Sequence, residues 1–201
     1  MKARMQVSPV HSAVDAAMKA ARGDAIMFAW GMAEAVSFPV MAEMSQVWLG
    51  LTHPERMWRR AAMVVAGSVT GVAVTHLLTR SGLQPPAPWT APEMRAATSR
   101  YLSRGPRGYW KQALTGIPVK LFAAESGRSN LPLPSVVLHA AGERAARMAA
   151  STAIVKTLGR PLGPITRQHY GTYLATTGVV FATALRGVIR HWQRPKRPGR
   201  P

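Results

Sequence analysis

Residues 61–79, AAMVVAGSVTGVAVTHLLT, run for 19 residues without a formal charge. No other feature narrows the fold as much. A helix of roughly 20 apolar residues crosses the hydrocarbon of a bilayer, whereas a surface helix of a soluble domain needs a polar face. Gly67 and Gly71 add a GxxxG spacing with Ser68 beside it, a small-residue face that lets another helix approach closely. Arg59, Arg60 and Arg80 bracket the stretch. It reads as a membrane-spanning helix.

The charge balance is read against that helix. The 201 residues include 26 Lys and Arg against 8 Asp and Glu, a net charge of +18. Nucleic-acid binders gather such charge on one exposed face, often with stacking aromatics. Here the basic residues lie between apolar stretches and at the two ends, the distribution of a polytopic membrane protein, so no nucleic-acid partner is expected. There is no cysteine, hence no disulfide framework or thiolate metal site. The first 24 residues hold Lys2, Arg4, Lys19 and Arg22 but no apolar core of signal-peptide type. Val7, Val10, Val14, Met18 and Ala21 recur at helical spacing, so 1–24 reads as a cytoplasmic amphipathic lead-in, with a loosely ordered tail as the alternative.

Two apolar segments are broken by proline and carry charge. Residues 25–51 hold Pro39 near the middle, flanked by Glu34 and Glu43. Proline removes a backbone hydrogen bond, and each acid at mid-bilayer costs roughly 2.5–3.5 kcal/mol on insertion scales. Two half-helices meeting at Pro39, dipping into the membrane and returning, answer both problems if protein covers the break. Residues 109–134 repeat the plan with Pro118, Lys120 and Glu125. Residues 135–158 read as a second span despite Glu143, Arg144 and Arg147, and 170–189 as a final span before a basic tail. Between the halves, 81–108 is a Pro-rich linker with a short amphipathic helix at 92–103. The expected fold is all-α: a polytopic membrane protein with two re-entrant helical hairpins and about three spanning helices. Paired interrupted segments in corresponding positions point to a transporter site.

Two blocks carry a resemblance to the DedA (VTT-domain, SNARE-associated-like) superfamily, in its YqaA-like branch. The first is AEAVSFPVMAEMSQVWLGLTHPERMWRRAAMVVAGSVTGVAVTHLLTRSG, and the second GIPVKLFAAESGRSNLPLPSVVLHAAGERAARM. The first resembles the family's EA dipeptide, Pro-containing loop with an acidic end, P-x-R connection and GSxxG helix. The second resembles its P-x-K loop, G-x-x-x-L-P turn and R-x-x-R helix. Departures exist: Pro39-Val40-Met41-Ala42-Glu43 stands where the family has a P-I-P-P-D loop, and Glu125 and Glu143 are additions. The resemblance implies a VTT-like membrane domain over 25–158 and a bacterial inner (cytoplasmic) membrane, multi-pass setting. It leaves 159–201 as an extra C-terminal span and tail. It also implies a flippase-like transporter of an anionic lipid, polyprenyl phosphate or phospholipid, coupled to protons and serving envelope homeostasis. A non-transporting scaffold is the alternative, and a homo-oligomer fits either.

Candidate site residues follow. Glu34 and Glu43, acids in one apolar segment, are proton-coupling candidates, since a desolvated carboxylate exchanges protons more readily near neutral pH. Alternatively they cap a half-helix or pair with arginine. Arg144 and Arg147 are three apart and share a helix face. A guanidinium binds phosphate bidentately, so they could hold a lipid headgroup, or simply neutralise Glu34, Glu43 or Glu143. Lys120 is a third phosphate-binding candidate unless it snorkels to the surface. Pro39, Pro118, Gly116 and Gly127 are architectural, the glycines flanking the second turn. His76 and His139 read as packing residues with a proton-relay alternative. Trp30, Trp48, Trp58 and Trp110 fit interfacial belts. No Ser-His-Asp set, glycine-rich phosphate loop or zinc spacing is present. The expectation is no enzyme, no catalytic residue, no metal and no cofactor.

Overall fold

The structure, a computed structural model, describes residues 7–194. In chain order its helices are α1 (Pro9–Ala17), α2 (Ala20–Val36), α3 (Ala42–Trp48), α4 (Met57–Arg80), α5 (Pro92–Leu102), α6 (Gln112–Thr115), α7 (Val119–Arg128), α8 (Leu133–Gln168) and α9 (Tyr170–Gln193). Short 3-10 turns at 50–52, 54–56 and 106–111 join them. No strand occurs among the described residues. The fold is all-helical, and two stretches are long and apolar enough to cross a membrane, Pro54–Arg80 and Tyr170–Gln193, where the sequence suggested about three.

α4 is the axis. Its small-residue face receives α2 running parallel to it. A Cβ on Gly67 would lie 1.9 Å from the Phe28 carbonyl oxygen, and one on Gly31 of α2 would lie 2.1 Å from that of Val64. Glycine on both helices lets the backbones touch, so the GxxxG motif is spent on an intrachain contact. Farther along, Thr75 Oγ1 donates to Ala35 O at 3.1 Å. The C-terminus of α2 is therefore level with the last turns of α4. α8 packs on α4 in the opposite sense. Its Val136 and Ala140 join an apolar cluster with Ala35, Val72, Tyr109 and Phe122. Its Met148 joins a second with Met18, Met27, Ala61 and Val64.

Both expected breaks occur. α2 stops at Val36 and α3 starts at Ala42, with Pro39 in the irregular link. α6 ends on Gly116, whose φ of +67° suits glycine, and Pro118 precedes the first residue of α7. Each half thus orders a proline break, a short helix and a long helix. The helix expected at 92–103 is α5, with Met94 and Ala97 buried.

Other boundaries move. The lead-in is not one helix to residue 24. α1 ends at Ala17, and residues 20–24 already belong to α2, with Gly23 and Asp24 buried. Nor is there a break at 158/159. α8 runs 36 residues through Pro161 and Pro164, a length of about 54 Å at 1.5 Å per residue. α9 then returns parallel to α4. It starts against α3, where the Tyr170 hydroxyl donates to Trp48 O. It ends beside α6, where Trp192 Nε1 donates to Thr115 O at 3.1 Å. The lead-in and the far end of α9 therefore lie at opposite ends of α4. Residues 190–193 of the expected basic tail are helical, and 195–201, like 1–6 of the lead-in, lie outside the described residues.

Candidate functional site

Between the two apolar clusters, α8 turns three charged side chains inward. Glu143 and Arg144 are 1 % and 0 % exposed, a burial that ionisable groups tolerate only when paired. Their partners come from the first half of the chain. Arg144 Nη2 donates to Glu34 Oε1 of α2 at 2.9 Å. Arg147 Nη2 donates to Glu43 Oε1, in the first turn of α3, at 2.5 Å. Within α8, Arg147 Nη1 donates to Glu143 Oε1 at 3.4 Å, and Arg144 Nε lies 3.8 Å from Glu143 Oε2. With its amide nitrogen toward Glu143, Gln112 of α6 donates to both carboxylate oxygens at 2.7 and 3.0 Å and accepts from Arg147 Nη1 at 2.9 Å.

The network is incomplete in one respect. Arg144 Nε and Nη1, Glu34 Oε2 and Glu43 Oε2 are buried and have no hydrogen-bond partner in the protein. Three carboxylates face two guanidiniums, and the charge is levelled by Lys120 of α7. Its ammonium is buried, donating to Ser37 O at 2.8 Å and to Pro88 O at 3.0 Å. Lys120 does not snorkel outward.

Part of this cluster borders a cavity of about 100 Å³. Glu34, Arg147 and Lys120 line it, with Phe38–Met41 from the first break, Gly116–Pro118 from the second, and Ala184, Leu185 and Val188 of α9 across one side. The structure thus brings Glu34, Glu43, Arg144 and Arg147 into one cluster, with Lys120, Pro39, Pro118 and Gly116 around the adjoining cavity. Gly127 is placed elsewhere. It lies inside α7 rather than at the turn, where a Cβ would meet His76 O at 2.3 Å.

Several wall residues carried no sequence signal. The Pro-rich linker is not a free surface loop: Pro88 and Trp89 line the cavity, and Ser37 Oγ donates to Pro86 O at 2.8 Å. Trp89 adopts φ +60° to make the turn. Gln112 looked like an ordinary polar residue. The apolar rim from α9 lies in the region expected to be an appendage. Trp30 and Trp48 make contacts within the bundle. They meet edge-on at 6.0 Å, and Trp48 Nε1 donates to Thr177 Oγ1 of α9 at 2.9 Å. Trp58 and Trp110 are exposed.

The histidines stay apart from the cluster's hydrogen bonds. His76 Nδ1 is 2.9 Å from Ser126 Oγ, which is 3.3 Å from the Tyr109 hydroxyl. His139 bonds Ser135 O of its own helix at 2.8 Å. Among the described residues, no group of three or more His, Cys, Asp or Glu side chains is placed to hold a metal ion. Chemically, the cavity offers the Arg147 guanidinium and the Lys120 ammonium beside an apolar space, with carboxylates competing for the same cations, and Arg144 Nε and Nη1 lie unpaired behind its wall. No known protein family, curated protein or solved structure matches this chain.

Proposed function

We propose that this chain is a multi-pass protein of the bacterial inner membrane that carries the phosphate of an anionic lipid, a polyprenyl phosphate or a phospholipid, through the cavity between the Pro39 and Pro118 breaks. The observation behind this is the buried cluster itself: five charged side chains from α2, α3 and α8 converge beside an apolar space whose wall also holds Lys120. Intramembrane ionisable groups are kept for function or for pairing. Here they are paired, yet Arg144 has N–H groups to spare. A phosphate presents the several acceptor oxygens that a guanidinium engages bidentately, and the apolar wall suits the start of a lipid chain.

In this reading Glu34 and Glu43 exchange protons with the two sides. Ionised, they hold Arg144 and Arg147. Protonated, they release them to the headgroup. The two breaks are the tips of two re-entrant hairpins, and α8 is a third crossing helix with its charges turned inward. Because Ala35 is level with Thr75, the first tip reaches past the middle of α4 and lies toward its Arg80 end. With α9 crossing as well, the lead-in and the C-terminal end face opposite sides, rather than both facing the cytoplasm as basic ends alone suggest.

The outer surface supports a lipid setting. Ile154, Leu158, Leu162 and Ile165 form an exposed stripe on α8, and Val179 and Val180 are exposed on α9. Contiguous apolar surface of that kind needs a cover. The blocks that resemble the DedA superfamily fall on the helices and breaks around the cavity.

A scaffold without transport is the second reading, favoured by the carboxylate partners that both arginines already have. Proteoliposomes carrying labelled polyprenyl phosphate or labelled phospholipid separate the two. Transport predicts movement of one lipid, faster in a pH gradient and mostly lost in Glu34→Gln at normal abundance. If neither lipid moves with the intact protein, the scaffold reading stands.

A further inference from the structure

A second cavity, of about 350 Å³, lies at the opposite end of the bundle from the Arg80 side, between α1, the turn at 51–54 and the last turns of α8. It shares no lining residue with the central cavity. Its wall carries Lys156, Arg167, His11, Thr166 and Tyr170, and no carboxylate. Among the described residues neither Lys156 nor Arg167 has an acidic partner. The nearby acids are engaged elsewhere: Asp15 lies 3.3 Å from His53 Nε2, and Glu55 lies 3.3 Å from His53 Nδ1.

His11 gives the cavity a built edge. It is 7 % exposed, and its ring is held edge-on against Tyr170 at 5.2 Å. Its buried Nε2 has no hydrogen-bond partner in the protein. Ser8 N donates to Arg167 O at 3.1 Å, which fastens the start of α1 to the end of α8 and keeps the two walls together. Gly163, on the same wall, faces open space.

Two cations without counter-charge, a hydroxyl and an unpaired imidazole nitrogen around one hollow call for a ligand with several acceptor oxygens and negative charge. We infer that this basic cavity binds a phosphate group, held by Lys156 and Arg167 with His11 Nε2 as a third contact. The phosphate is that of a lipid headgroup at the membrane surface or a free phosphate. Basic hollows between membrane helices hold anionic headgroups by the same chemistry.

The test uses the full chain in detergent and in phosphatidylcholine nanodiscs with or without phosphatidylglycerol. Inorganic phosphate is the soluble probe. The readouts are the shift in unfolding temperature and the lipid retained in native mass spectra. The intact protein should be stabilised by phosphate, retain phosphatidylglycerol over phosphatidylcholine, or do both. Stabilisation by inorganic phosphate alone assigns a free anion, and retention of phosphatidylglycerol assigns a headgroup. Lys156→Gln with Arg167→Gln should weaken binding at least about tenfold, the size of one lost charge-assisted contact. Arg167→Gln alone, at an exposed position, should weaken it less and keeps the test open if the double variant misfolds. Arg100→Gln with Arg104→Gln, a charge-matched control on exposed residues, should bind like the intact chain. Binding by neither probe, or equal loss in the charge-matched control, overturns the inference.

Discussion

α4 and α9 are both 24-residue helices, both are apolar enough to cross a membrane, and they are used in opposite ways. In α4, 44 % of the apolar window is buried inside the protein; in α9, none is. α4 carries Gly67, Ser68 and Gly71 on one face, so neighbours come to backbone contact and the rest of the chain assembles around it. α9 has no such face against the bundle. It is held at points, by the Trp48–Thr177 bond, by Tyr173 donating to Val47 O at 2.8 Å and by Trp192 on Thr115 O. Hydropathy measures the fitness of a helix for an apolar solvent. Small residues at the right spacing decide whether that solvent is protein or something else.

Four substitutions break or sharpen the comparison. The largest effect belongs to the cluster that α4 and its partners enclose. Arg144→Met strands Glu34 and Glu143 in the interior and should cost roughly 3–5 kcal/mol, the cost of removing one partner from a buried ion pair. Thermal unfolding in detergent reads it, and adding Glu34→Gln should restore part of the loss, since one stranded charge is gone. If the single variant unfolds like the parent, the cluster does not bear on stability. Next is Gly67→Leu, which forces a side chain into the Phe28 carbonyl. It should cost at least about 1–3 kcal/mol and lower the amount of protein in membranes.

On α9 the effects should be small. Thr177→Val removes the Trp48 bond and should cost about 1 kcal/mol, seen as faster amide exchange in α9 with α4 unchanged. A matching acceleration of exchange in α4 would mean that the two helices open together. Smallest, and opposite in sign, is Gly187→Ala. No atom lies within 4 Å of the position a Cβ would take, and alanine favours helix over glycine by about 1 kcal/mol or less. A destabilised Gly187→Ala would show a packed face on α9 that the structure does not have.

Local features were legible. The uninterrupted helix after Met57, the breaks at Pro39 and Pro118 and the helix opening at Pro92 all follow from backbone chemistry within a few residues. Helix ends were less so. Pro161 and Pro164 do not stop α8, and Met18–Lys19 interrupt a regular apolar spacing. The candidate site was legible in its residues more than in its shape. Glu34, Glu43, Arg144 and Arg147 stood out because charge in apolar sequence is costly. Gln112, Trp89 and Leu185 stood out in no way, because a cavity wall is defined by what faces it.

The sequence by itself determined that this chain is helical, where two of its helices must break, and that buried charges would need partners. Each follows from a local rule: the spacing of apolar residues, the missing N–H of proline, the cost of an unpaired ion. Only the tertiary structure decided which partners. Glu34 meets Arg144 across 110 residues, and Glu43 meets Arg147 across 104. That register depends on how α2, α3 and α8 are set around the glycine face of α4, an arrangement no short-range pattern encodes.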